Sequence, residues 1–188
     1  MAYRHGFRSE AERLAEITRR ELGLGLYARL EPMQLAADLE IPVWSLTGLA
    51  GQPRGQSDLA AAIDVLGGPE QGALSAFTIF VGPRRVIVHN DSHAPGRQSS
   101  NLAHELAHAL LLHPARPALD RRGCRDWNAD IEDEANFLGG ALLIPAKAAW
   151  WIAKRRQPFD LAAKEYGCSI EMVRWRVNVT GARRLLTG

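Results

Sequence analysis

Cysteine is scarce in the 188-residue sequence, with only Cys124 and Cys168 present. Two thiols so far apart cannot build the disulfide framework of a small secreted domain, nor a thiolate metal site. Both are read as reduced. Long apolar runs are missing as well, since no stretch approaches the ~18–20 apolar residues of a membrane helix. The opening residues, Met-Ala-Tyr-Arg-His-Gly-Phe-Arg-Ser, are polar and lack the apolar centre of a secretion signal. A cytoplasmic location without membrane contact is therefore the expectation. Internal repeats and low-complexity tracts are also absent.

What remains is the composition of an ordinary globular protein, 46% apolar and 23% charged. The length suits one compact domain with a small appendage. The net charge of +2 is unevenly spread. Residues 151–188 carry eight Lys and Arg against three Asp and Glu, and the rest of the chain carries 15 against 18. A basic tail is a solvated face or a surface for an anionic partner such as nucleic acid.

Local signals give a mixed α+β pattern. Ser9 and Glu12 read as a capping box that opens a first helix, and Pro32 suits the first position of a second. Residues 43–46 read as a strand. Residues 48–72 read as loop, with a short helix over 59–66. Two strands at 75–81 and 85–89 form a tight hairpin. Helices follow at 98–112, from about 130 to before Pro145, at 146–156, and as a pair at 160–166 and 169–177. The expectation is a small antiparallel sheet beside a helical core, with residues 1–157 as the main domain and 158–188 as a helix-turn-helix-like segment.

Chemistry concentrates in His104-Glu105-Leu106-Ala107-His108, an H-E-x-x-H motif. Residues four apart share a helix face, so both imidazoles can reach one cation. Glu105 stands beside that cation and can take a proton from water. The surrounding residues are apolar nearly all round, so the helix is buried, and buried histidines and a glutamate need a partner. Position 114 is proline, which removes a third histidine ligand six residues after the second. His113 reads as a helix-end histidine near the dipole. Glu132 is preferred as third ligand, with Asn136 at i+4 to hold a ligand histidine by its other nitrogen. Glu134 points away and reads as a solvated glutamate. Gly139 and Gly140, inside the same helix, suggest close approach to the H-E-x-x-H helix.

Together, Arg97-Gln98, Ala103 to His108, Glu132-Asp133-Glu134-Ala135-Asn136 and Leu142-Leu143-Ile144-Pro145 resemble the ImmA/IrrE metallo-endopeptidases. Leu138, Gly139 and Ser100 depart from the commoner Phe, Ala and Phe. The resemblance implies a gluzincin-like, zincin-type core with one zinc ion (Zn2+) per chain, ligands His104, His108 and Glu132, and Glu105 as base. It also implies a helix-turn-helix transcriptional repressor as substrate, hence a part in transcription regulation and stress response. His89, His93, Arg97 and Tyr166 are candidates for stabilising an oxyanion. An edge of the hairpin could take a substrate strand.

The tail has helix-turn-helix form, with Gly167 at the turn and Ser169 as N-cap. Arg174 and Arg176 are candidate contacts to a substrate or partner. Nucleic acid is possible there but less favoured. The alternative reading is a non-catalytic, zinc-containing regulator whose tail binds DNA or a toxin partner.

Overall fold

The computed structural model describes residues 3–50, 75–114 and 129–186. The expected helix at 59–66 and most of the connection after Pro114 lie outside them, as does Cys124.

Helix α1 (Phe7–Glu21) starts two residues before the expected capping box. Gly6, with φ +82°, turns the chain into the helix, and Phe7 is fully buried. Burial of that ring against Phe137, 6.1 Å away, sets the start, and Ser9 does not cap. Glu12 is left to reach other elements. Helix α2 (Pro32–Asp38) begins at Pro32 as expected. Strand β1 (Val43–Ser45) leads into the short α3 (Leu46–Ala50), then β2 (Ala76–Val81) and β3 (Arg84–His89) form the hairpin. Gly82, at φ +60°, and Pro83 make its turn.

The sheet order is β1-β3-β2. Here the expected antiparallel sheet is corrected, for β1 runs parallel to β3, pairing Val43 with Ile87 and Ser45 with His89. A hairpin must be antiparallel, but β1 is followed by a long connection that allows a crossover. The class remains α+β.

Helices α4 (Pro95–Leu110) and α5 (Ala129–Leu143) form the centre, followed by α6 (Ala146–Lys154), α7 (Phe159–Tyr166), α8 (Ile170–Val179) and a 3-10 turn (Ala182–Leu185). Gly139 explains how closely α4 and α5 approach, because a Cβ there would stand 3.0 Å from the Ala103 carbonyl oxygen. Gly140 serves a different contact. Its Cβ would meet Trp175 at 2.5 Å and Arg176 at 2.8 Å, on α8.

Gly167, at φ +63°, and the Ser169 cap, which accepts from Met172 N–H at 3.1 Å, make the helix-turn-helix form as expected. Tyr166, Cys168, Val173 and Val177 of this segment join the same apolar core as α1, α4 and α5. Ser100 ties the two parts, its hydroxyl accepting from Ser169 N–H at 3.3 Å, which a phenylalanine there could not do. No helix among the described residues is long and apolar enough to cross a membrane.

Candidate metal centre

Pro95 opens α4, and Leu102, Ala103, Leu106 and Ala107 seat it in the core. That orientation turns His104 and His108 toward the first turns of α5, where Glu132 meets them. Glu132 Oε2 lies 3.2 Å from His104 Nε2, and Oε1 lies 3.6 Å from His108 Nε2. The two Nε2 atoms are 3.1 Å apart. The three side chains are 14–25% exposed, so the group is reachable from solvent.

The far sides of both imidazoles are occupied. Asn136 Oδ1 stands 3.0 Å from His104 Nδ1, and His113 Nδ1 stands 2.9 Å from His108 Nδ1. With each ligand Nδ1 donating, both Nε2 atoms carry bare lone pairs. Three lone-pair donors facing one another repel unless a cation lies between them. The spacing suits one, since donors ~2.0–2.1 Å from a tetrahedral ion stand about 3.3 Å apart. His104, His108 and Glu132 can therefore hold a metal ion.

The proton equilibria point the same way. A proton is the alternative occupant of the same space, and with Nε2–H of His104 and His108 donating in that state the Glu132 carboxyl is held well below the usual carboxylate range. Burial alone would lower the His104 pKa, but the Glu132 hydrogen bond and the charges of Glu105 and Glu132 outweigh it and raise it. Both shifts express one preference, for positive charge at the centre of the triangle.

Glu105 is 8% exposed and accepts from the Thr78 hydroxyl at 2.7 Å through Oε2. Thr78 is a residue that sequence reasoning missed. Its signal is a lone hydroxyl in the otherwise apolar strand Ala-Phe-Thr-Ile-Phe-Val. Arg85 was missed as well. Burial lowers its pKa while the nearby Glu105 charge raises it, and its guanidinium donates to the His113 carbonyl at 3.1 Å.

A peptidase family model, described as the IrrE N-terminal-like domain, matches residues 63–178. That span is more than half of the chain and takes in both helices of the metal centre.

The chain belongs to the IrrE N-terminal-like domain family.

No curated protein matches it. The family is one of metallopeptidase-type hydrolases, a class whose substrates are proteins. In this IrrE-type domain the other candidate residues are scattered. Arg174 is exposed on α8. Arg176 departs from the expected partner contact, because it is fully buried. Its Nε donates to the Ile144 carbonyl at 2.8 Å and its Nη2 to Glu12 at 2.5 Å, at the opposite end of α5 from the metal ligands. Tyr166 is in the core, its pKa pushed up to about 12 by burial. Arg97 donates to Ser75 at 3.3 Å, and Gln98 holds the His93 carbonyl at 2.7 Å. Glu134, expected in solvent, is 14% exposed. Two residues along a helix turn a side chain by about 200°, and on that flank Glu134 meets His113 and Arg4.

Proposed function

We propose that this protein is a zinc-dependent metallo-endopeptidase in which His104, His108 and Glu132 bind the ion and Glu105 is the general base. The observation that carries the reading is the meeting of three donors with a carboxylate one residue along the same helix, held by Thr78. A catalytic zinc site has three protein ligands, and a structural one is usually closed by four. Bound zinc supplies Lewis acidity to the scissile carbonyl and makes water a nucleophile near neutral pH. Glu105 takes the water proton on Oε1, while the Thr78 hydroxyl keeps Oε2 fixed. The same carboxyl then gives the proton to the leaving amine. Arg85, in range of the Glu105 charge, is suited to face developing negative charge.

Strand β2 supports a binding mode for substrate. It stands at one end of the sheet order and carries Thr78, so an extended peptide added beside it would run past the base. The resemblance to ImmA/IrrE enzymes favours a helix-turn-helix repressor as that substrate, with the exposed Arg174 of the 158–188 segment as a contact. A cytoplasmic site of action fits such a target.

The test pairs metal content with cleavage. Purified protein is assayed for bound metal by elemental analysis and for cleavage of candidate repressors by fragment mass. Glu105→Gln should keep the zinc while the rate falls about 10²–10⁴-fold. A Glu105→Gln protein that cleaves at the original rate leaves the centre without a catalytic role and returns the non-catalytic regulator.

A further inference from the structure

Helix α4 ends as α2 and α6 do, in a reversal whose left-handed position is not glycine. The His113 N–H reaches back to the His108 carbonyl at 3.0 Å and the Leu112 N–H to the Ala109 carbonyl at 3.0 Å. These are the two bonds of a Schellman closure. Its left-handed position, where glycine is normal, is filled by Leu112 at φ +53°, with a side chain 85% exposed. A branched side chain gains nothing there, and L residues other than asparagine and aspartate rarely adopt the conformation. What the reversal achieves is the placing of His113. Its ring turns back against His108, with centroids 5.0 Å apart and the two Nδ1 atoms at 2.9 Å.

The contacts continue outward. His113 Nε2 lies 3.5 Å from Glu134 Oε2, and Glu134 Oε1 accepts from Arg4 Nε at 3.0 Å. His113 and Glu134 are largely buried, at 10% and 14% exposure. The series has one self-consistent direction. Arg4 fixes Glu134 as an acceptor, Glu134 draws the His113 proton to Nε2, and His113 Nδ1 is then an acceptor for the Nδ1–H of His108. The bare lone pair of His108 is thereby left on Nε2, facing Glu132 and His104.

We propose that His113 and Glu134 are positioning residues for the metal ligand His108, selecting its tautomer and fixing its ring from the side away from the ion. The proposal rests on the reading of His108 as a ligand. It gives His108 an outer partner as Asn136 is the outer partner of His104. The two ligands differ in that the His104 partner is one amide, whereas the His108 partner is a relay running to Arg4 near the chain start.

The test is zinc affinity, measured by competition with a chromogenic chelator, with thermal unfolding of each metal-free variant as a check on the fold. His113→Phe keeps the ring and removes the acceptor, and it should weaken zinc binding about 10–100-fold. His113→Asn returns an acceptor at the Nδ1 position and should recover most of that loss. Glu134→Gln keeps an acceptor oxygen and should fall between wild type and His113→Phe. Ring-nitrogen NMR of the zinc-loaded protein should show His108 protonated at Nδ1. Wild-type affinity in His113→Phe overturns the relay. So does a loss as large as that of His108→Ala without recovery in His113→Asn, which would make His113 a ligand. His108→Ala separates the two readings. If it binds zinc as wild type does, the metal centre itself is misassigned; if it loses zinc while His113→Phe does not, only the relay falls.

Discussion

The two ends of helix α5 handle charge in opposite ways. At its start, Asp130 and Glu132 place negative charge where the helix dipole favours it, and Glu132 is partly exposed beside two histidines. At its finish, every residue from Phe137 to Leu143 is buried. There two fully buried arginines take the terminal carbonyls, Arg19 donating to Leu142 at 2.6 Å and Arg176 to Ile144 at 2.8 Å. Arginine cannot shed its proton, so its burial demands permanent acceptors. Arg176 has Glu12, and Arg19 has the carbonyls of Gly25 and Ala28. Histidine can present a lone pair or a proton, and the exposed end uses that freedom to leave room for an ion. One end of the helix is chemistry and the other is anchorage.

Substitutions at the two ends should separate accordingly. The largest effect is expected from Glu132→Ala, which should reduce zinc affinity by more than the about 10–100-fold expected of an outer partner. Elemental analysis should find no bound zinc, while thermal unfolding changes little. At the other end, Arg176→Ala removes a fully buried guanidinium, leaving the Ile144 carbonyl and one oxygen of the partly exposed Glu12 without their donor, and should cost about 3 kcal/mol in denaturant unfolding. Zinc bound per folded molecule should stay unchanged. A parallel loss of zinc would join the two ends into one unit.

The neighbouring glycines sharpen the contrast further. Gly139→Ala and Gly140→Ala should each cost about 1–3 kcal/mol of overpacking. Only Gly139→Ala, pressing on Ala103 and the His104 Cα, should also weaken zinc binding. Equal zinc affinities in the two variants would detach the helix contact from the metal centre. The smallest effect is expected at Cys168, where burial pushes the thiol pKa up to about 12. In a Cys124→Ser background, alkylation followed by mass spectrometry should find Cys168 unmodified at mildly alkaline pH until the protein unfolds.

Much of the helical frame was legible because its signals are local. Pro32, Gly167 and Ser169 act within one turn of chain, and each appears in its expected role. The grouping of His104, His108 and Glu132 was legible for the same reason, since H-E-x-x-H and Glu132 with Asn136 are i, i+4 patterns. What escaped depends on distant partners. Nothing near Thr78 announces Glu105, and nothing near Glu12 announces Arg176. The parallel partner of β1 lies beyond a long connection, and Phe7 outbids Ser9 only because Phe137 waits in the core. His113 escaped for a further reason, since its position depends on a left-handed leucine that turn preferences disfavour.

The seat of Gly139 on Ala103 bears on how firmly the candidate site is held. A side chain in place of Gly139 would stand 3.0 Å from the Ala103 carbonyl oxygen and 3.1 Å from the His104 Cα, so the two helices pack backbone to backbone there. The helix pair that carries His104, His108 and Glu132 is therefore tightly seated. Glu105 has a looser tether, one hydroxyl reaching across from a strand. At that sheet-to-helix joint a small displacement changes the aim of Glu105 and leaves His104, His108 and Glu132 in place.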